Sequence, residues 1–375
     1  MRTIVVDGSP ERTAELVDAL RGALDGGPPV VPLAPGAPGP VTEPPPGTAV
    51  VIATSGSTGD AKFVALTAGA LRASAGATAA RLGGPARWLL VLPGEHVAGV
   101  QVIVRALLAG APPQVQDLRA GFRPDGFAAA TERLGAGPRH TSLVPTQLLR
   151  LLDAGGPGLD ALRSYRAVLV GGAALDAGAH ARARAAGIAV VTTYGMSETA
   201  GGCVYDGLPL DGVTADLDAD GRILLGGPTL AAGYVGRPEE TAAAFTGGRF
   251  RTGDLGSFRG DRLVVLGRAD DVIVTGGEKV APAAVERVLV AQPGVRAACV
   301  VGVPDARWGR VVTAALVTGP GRADDDALRA AVRAELGRAA VPRRIVDVED
   351  LPLRGIGKPD RVAVTALVSA QGPIG

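Results

Sequence analysis

Lysine is almost missing from this chain. Of its 38 basic residues only Lys62, Lys279 and Lys358 are lysines; the rest are arginine. Aromatic residues make up 3% of the 375 positions, too few to build base-stacking platforms for single-stranded nucleic acid. The formal net charge is +1 and no basic stripe stands out, which excludes nucleic acid and anionic membranes as main partners. Two cysteines, Cys203 and Cys299, sit far apart with no CxxC spacing, so neither a disulfide framework nor a thiolate metal site is expected. No apolar run reaches the roughly 18 residues that span a bilayer, and the opening Met1–Asp7 reads as a strand, not a signal peptide. These absences lead to the expectation of a cytoplasmic protein. Against them stands a hydrophobic content of 47%, ample for a core built of Ala, Val and Leu, in a chain long enough for two or three domains.

Short apolar runs alternate with Ala- and Arg-rich amphipathic stretches. Val50–Ala53, Trp88–Leu92, Ser142–Val144, Ala167–Val170 and Ile188–Val191 read as strands; Leu66–Arg81, Val100–Leu108, Thr146–Leu152 and Asp176–Ala186 read as helices. This alternation predicts an α/β sheet with ligands at the carboxyl ends of its strands. Nine prolines between Pro28 and Pro46 predict an extended connector. From Gly221 short strands take over (Arg222–Leu225, Phe250–Thr252, Leu263–Leu266), predicting a smaller β-rich layer. A compact α+β segment follows, with strands near Ala298–Val303 and Thr313–Val317 and a helix over Asp324–Leu336. The expected division is 1–269 and 270–375.

All three lysines fall in glycine-containing loops, where a compact point charge is of use and a broad guanidinium fits less well. Lys62 closes Thr54-Ser55-Gly56-Ser57-Thr58-Gly59-Asp60-Ala61-Lys62, which follows a strand. Backbone N–H groups of such a loop can wrap a polyphosphate, with hydroxyls and the ammonium as further donors. The G-x-x-x-x-G-K-[ST] spacing of a Walker A loop is absent. The order of residues instead resembles the phosphate loop of the adenylate-forming superfamily of acyl-CoA ligases, peptide-synthetase adenylation domains and luciferases. Further motifs of that superfamily occur downstream in order, from about Val50 to Arg361. The resemblance implies a large N-terminal α/β domain with a β-rich layer and a small mobile α+β C-terminal domain. Only 53 residues precede the glycine loop, fewer than most members carry, so the large domain is expected to be shortened at its front and the usual oligomer contacts, including a homodimer, are left open.

The same resemblance implies roles residue by residue. Tyr194-Gly195-Met196-Ser197-Glu198-Thr199 resembles a motif that lines the adenine site, reaches the α-phosphate through its hydroxyls and holds Mg²⁺ through its glutamate; alone, Glu198 reads also as an acid capping a helix start after Ser197. Gly171-Gly172-Ala173 resembles the turn against which adenine lies. Gly226-Gly227-Pro228 leading to Gly233-Tyr234 resembles a structural loop. Thr252-Gly253-Asp254 resembles the motif whose aspartate takes both ribose hydroxyls, a fitting task for a carboxylate. In Gly267-Arg268-Ala269-Asp270-Asp271, Arg268 would contact the nucleotide and Asp270 would be the hinge. Gly276-Gly277-Glu278-Lys279 resembles the loop that faces CoA, although a surface role for Lys279 fits equally. Gly355-Ile356-Gly357-Lys358-Pro359-Asp360-Arg361 makes Lys358 the catalytic cation, placed where charge grows during displacement at the α-phosphate.

Two further segments, His96-Val97-Ala98-Gly99 continuing to Arg105, and Thr141-Ser142-Leu143-Val144-Pro145-Thr146-Gln147-Leu148, resemble the o-succinylbenzoate–CoA ligases of menaquinone biosynthesis. That likeness implies ATP, Mg²⁺ and CoA as co-substrates and o-succinylbenzoate as the acid. His96, Arg105, Ser142 and Gln147 are the candidates for the acid pocket, with His96 either catalytic, gating or orienting its loop. The competing readings are a ligase for another aromatic or fatty acid, an adenylation enzyme loading a separate carrier protein, and a nucleotide-binding regulator without chemistry.

Overall fold

The computed structural model describes residues 1–54, 62–354 and 358–370. The chain opens with a strand–helix–strand unit: Arg2–Val5, the helix Pro10–Leu24 (α1), and Val30–Leu33, which runs parallel to the first strand. Ser9 starts α1 by accepting from the Arg12 N–H, with Pro10 in the first turn, where a missing N–H costs nothing. The proline-rich segment is therefore not only a connector. Its residues 30–33 form a buried strand, and Pro32 lies beyond the single Val30↔Val50 pair that joins this strand to the next, so its lost donor breaks no ladder bond there.

Thr48–Thr54 and Lys62–Thr67 continue this sheet as an antiparallel pair, and the short strand Gly233–Tyr234 closes it. The expected helix Leu66–Arg81 is thus split. Leu66 is fully buried in a strand, and Thr67 caps the helix Ala68–Arg81 (α2) by accepting from the Ala70 N–H.

The second sheet holds the predicted parallel strands Arg87–Leu90, Arg139–Leu143, Ala167–Val170 and Val190–Met196, extended by Gly201–Tyr205 on one side and Gln114–Val115 on the other. Ala167–Val170 is buried at every position, as a strand covered on both faces must be. On one face lie α1, α2 and Val97–Leu108 (α3), which fill the space between the two sheets; Ile52, Leu66, Leu71 and Ile103 in this layer are about 0–1% exposed, each contributing roughly 2 kcal/mol by burial. The other face is covered by the helices Pro124–Arg133, Pro145–Ala154, Gly156–Arg163 and Ala177–Ala185 around Phe127, Leu148 and Leu162.

The β-rich layer is present as predicted, with Thr214–Leu217, Arg222–Gly226, Arg249–Arg259 and Arg262–Arg268 paired antiparallel. Beyond it, Val295–Asp305, Gly309–Thr318 and Arg344–Val348 form a three-stranded sheet with the helices Pro282–Val290, Asp325–Leu336 and Arg361–Ala370 packed on it. Gly276 and Gly277 form the two-residue turn of a hairpin between Ile273–Thr275 and Glu278–Val280, so the expected loop is a strand pair with Lys279 on an exposed position. Among the described residues no helix is long and apolar enough to cross a membrane.

Candidate active site

Asp254 sits on Arg249–Arg259 opposite Arg268 of the neighbouring strand. Its side chain is 14% exposed; Oδ2 accepts a 2.8 Å hydrogen bond from the Tyr194 hydroxyl, and Oδ1 lies 3.5 Å from the Arg268 guanidinium. The Asp254 N–H donates to the Thr252 hydroxyl at 3.0 Å, fixing the turn that presents the carboxylate. Burial, then the Asp254 charge, push the Tyr194 pKa up, so the phenol remains a donor. A carboxylate braced on one edge keeps lone pairs for two further hydroxyl donors, which is the chemistry a ribose requires. Sequence reasoning placed Tyr194, Asp254 and Arg268 in one site, and the structure brings the three together.

Beside them the carboxyl ends of Ala167–Val170 and Val190–Met196 form a shelf of bare backbone. A Cβ on Gly171 would lie 2.2 Å from Thr193 Oγ1, and one on Gly195 would lie 2.1 Å from the Gly201 carbonyl oxygen, so only glycine allows these strands to close up. Gly172 and Ala173 follow on the exposed rim. Met196 and Ser197 are half-buried at the start of the single helical turn Ser197–Thr199. Thr199, expected among the phosphate-binding hydroxyls, faces inward instead. It is fully buried, donates to Gly201 O at 2.8 Å and accepts from the Met196 N–H at 3.0 Å, so it holds the turn that displays Glu198.

The segment expected to bind phosphate begins where Thr48–Thr54 and Lys62–Thr67 meet. Thr54 Oγ1 donates to Lys62 O at 3.2 Å, pinning the base of the glycine loop. The candidates Ser55, Gly56, Ser57, Thr58 and Gly59 lie outside the described residues. Lys62 Nζ is 2.6 Å from Glu240 and 4.8 Å above the Tyr234 ring. Glu240 also pairs with Arg237 at 2.7 Å, and the hydrogen bond from Lys62, followed by that from Arg237, holds its carboxyl below the usual range. The Tyr234 hydroxyl donates to Glu198 Oε1 at 3.0 Å. Among the described residues no group of three or more His, Cys, Asp or Glu side chains converges, so no all-protein metal cage exists there. One carboxylate beside a phosphate-binding loop does fit Mg²⁺, which takes one or two protein oxygens and the substrate's phosphates. Tyr234 and Glu240 were not singled out from sequence. Tyr234 had a structural reading only, and Glu240 sits in an ordinary helix-start pattern, Pro238-Glu239-Glu240-Thr241.

The acid-side candidates separate. His96 is half-buried at the start of α3 without a side-chain capping bond. Arg105, in the third turn of α3 and 7% exposed, lies 5.3 Å from the Trp88 ring centroid and donates to the Tyr205 hydroxyl at 3.2 Å; its Nε has no partner among the described residues. Burial pulls its pKa down, and only Tyr205 opposes this. Ser142 is buried in Arg139–Leu143. Gln147, the remaining pocket candidate, is bonded to backbone at both ends of its amide. Its Oε1 accepts from the Val144 N–H at 3.0 Å and its Nε2 donates to Val91 O at 2.8 Å, so both ends of the amide are used to start a helix and tie two strand ends.

In the C-terminal part, Asp270 is exposed and 3.5 Å from Arg268, whose guanidinium thus lies between Asp254 and Asp270. Gly276 donates its N–H to Trp308 O at 3.0 Å, and Glu278 and Lys279 are exposed. Lys358 pairs with Arg354 in a two-strand hairpin, and its side chain lies outside the described ones. Just beyond it, Arg361 makes a bidentate pair with Glu286 at 2.5 and 3.1 Å and reaches Asp271 at 3.0 Å, anchoring the segment that carries Lys358.

The AMP-binding enzyme family model matches residues 2–235, and that of the AMP-binding enzyme C-terminal domain matches 284–358. The chain is 48% identical over 321 residues to a probable 2-succinylbenzoate–CoA ligase of Mycobacterium tuberculosis, covering 84% of this chain and 83% of that protein. An amide bond synthetase from Marinactinospora thermotolerans superposes with a TM-score of 0.78 at 32% identity, covering 96% of this chain and 78% of that one. The o-succinylbenzoate CoA synthetase of Bacillus subtilis, in complex with its acyl-adenylate intermediate, superposes with a TM-score of 0.74 at 29% identity, covering 84% and 69%. With its large N-terminal and small C-terminal α/β parts and the glycine-walled site between strand ends, the chain belongs to the AMP-binding enzymes.

Proposed function

We propose that the protein is an AMP-forming acid–thiol ligase that activates o-succinylbenzoate with ATP and transfers the acyl group to CoA. The observations that carry this reading are two clusters, Asp254 with Tyr194 and Arg268, which would face the ribose, and Lys62 and Glu198 joined through Tyr234, which would face the phosphates. In the first half-reaction the acid's carboxylate attacks the α-phosphorus and pyrophosphate leaves. Asp254 would hold the ribose, Gly171, Gly172, Ala173 and Gly195 would admit the adenine, and Lys62 with the glycine loop would take the β- and γ-phosphates. Glu198 would hold Mg²⁺, which when bound neutralises phosphate charge. Lys358 would bridge the attacking carboxylate and the α-phosphate oxygens. In the second half-reaction the CoA thiolate attacks the acyl carbonyl and AMP leaves. Residues 1–269 and 270–375 would be the two bodies, turning about Asp270, with Gly276, Gly277, Glu278 and Lys279 on the CoA side.

The acid has two carboxylates, and the unreactive one needs a charged partner when desolvated. Arg105 supplies a buried cation that no carboxylate pairs with among the described residues. The relative of known name and the adenylate-bound neighbour support this acid. The amide bond synthetase neighbour supports a second reading, in which the same adenylate is delivered to an amine.

Exchange of labelled pyrophosphate into ATP, run with o-succinylbenzoate and a panel of aromatic and fatty acids, tests the first half-reaction. Strong exchange with o-succinylbenzoate is expected; exchange with another acid alone would replace it as substrate. Lys358→Ala should cut exchange by at least about a hundredfold, the usual size for one well-placed transition-state donor, while ATP still binds. Near-normal exchange by that variant would remove Lys358 from the chemistry.

A further inference from the structure

Tyr234 lies on a two-residue strand that the sequence offers only as part of a structural loop. Antiparallel pairing sets Tyr234 opposite Val64, two residues after Lys62. Side chains alternate along a strand, so Lys62 and Val64 share a face and the Lys62 side chain reaches diagonally over the Tyr234 ring, with Nζ 4.8 Å from its centroid. The ring is 8% exposed and fixed from behind by Phe245, edge-on at 5.8 Å, and by the Tyr234 N–H donating to Thr241 Oγ1 at 2.9 Å. Its hydroxyl donates to Glu198 Oε1. The same loop grips the backbone of Glu198, because the Ala231 N–H donates to Glu198 O at 2.9 Å. Among the described residues Glu198 Oε2 has no hydrogen-bond partner, so the bond from Tyr234 orients the carboxylate and leaves one oxygen to bind.

We infer that Tyr234 is the positioning residue of the phosphate end, its ring guiding Lys62 and its hydroxyl aiming Glu198, so that nucleotide and divalent cation bind as one unit. This rests on the ATP site proposed above. A residue that only filled space would influence the two sides equally or neither. Tyr234 has two separable handles, the ring for the lysine and the hydroxyl for the carboxylate.

The test is calorimetric titration of the full chain with a non-hydrolysable ATP analogue, with and without Mg²⁺, on the wild type, Tyr234→Phe and Tyr234→Leu, each first checked for an intact melting transition. In the wild type Mg²⁺ should tighten nucleotide binding. Tyr234→Phe keeps the ring and should lose about tenfold or more of that tightening while its Mg²⁺-free affinity stays within about twofold, in line with loss of one charge-assisted hydrogen bond. Tyr234→Leu should lower the Mg²⁺-free affinity as well. An unchanged Mg²⁺ effect in Tyr234→Phe, or an equal loss with and without Mg²⁺, would overturn the inference and leave the site standing. A wild type that binds no nucleotide would overturn the site and the inference together.

Discussion

Arg105 is a buried cation beside an indole and a phenol, and among the described residues it makes one hydrogen bond, at 3.2 Å, and leaves Nε without a partner. Such a charge destabilises the empty fold and is retained to advantage only if something anionic reaches it. Arg105→Met should therefore leave the melting temperature equal or higher and raise the KM for the acid by tenfold or more, the equivalent of about 1.5–3 kcal/mol for a hydrogen bond to charge. Gln147→Ala should do the reverse, since both ends of that amide are bonded to backbone. It should cost roughly 1–3 kcal/mol of stability and leave the acid KM in place. Thermal melts with acid-dependent exchange kinetics check both variants; a Gln147→Ala enzyme with normal stability and a raised acid KM would place Gln147 in the pocket. Both residues were candidates from sequence on the same grounds, their place in segments that resemble the o-succinylbenzoate–CoA ligases. What separates them is which backbone groups lie within reach, and Val91 is 56 positions from Gln147.

Elements show a related pattern. Strands with apolar runs, such as Ala167–Val170, and helices with a capping residue, such as Asp324 before Asp325–Leu336, were legible because local chemistry decides them. Strands whose existence depends on a partner were not: Val30–Leu33 amid prolines, Lys62–Thr67 at the start of an Ala-rich helical stretch, and Gly233–Tyr234. The motif residues of the site were readable as contiguous strings, whereas the Lys62–Glu240 and Tyr234–Glu198 contacts arise only when segments distant in sequence pair. The strand Arg139–Leu143 also carries a consequence for pH. His140 is 1% exposed and edge-on to Trp88 at 5.1 Å; burial, then the charges of Arg166 and Arg105, pull its pKa down to about 4. The imidazole of the unfolded chain ionises near 6.5. The unfolded state therefore binds the extra proton first, and the stability from keeping His140 neutral is complete above about pH 6.5 and drains away as pH falls toward about 4. The full amount is on the order of 3 kcal/mol. Melting temperatures from about pH 7 to about pH 4.5 should fall more steeply for the wild type than for His140→Gln; parallel slopes would contradict the assignment.

At the scale of the molecule, two packed sheets with a helical layer between them, together with the β-rich layer, carry the Asp254–Tyr194–Arg268 and Lys62–Tyr234–Glu198 clusters proposed as the ribose and phosphate ends of one site. The smaller α+β part carries Lys358 on a segment tied down by Arg361. Asp254 and Arg268 occupy paired strands, and Arg268 reaches Asp270, so the proposed pivot lies two residues from the ion pair of the proposed nucleotide site. Under the proposed mechanism this arrangement would give the two half-reactions a shared nucleotide site and different partners. The most direct measurement of the account supplies the protein with ATP, Mg²⁺, CoA and o-succinylbenzoate and follows AMP and the CoA thioester together. The account predicts equal amounts of AMP and o-succinylbenzoyl-CoA, dependent on all four components. AMP or adenylate without thioester would contradict CoA as the acceptor, and no nucleotide turnover with any acid would contradict the proposed chemistry itself.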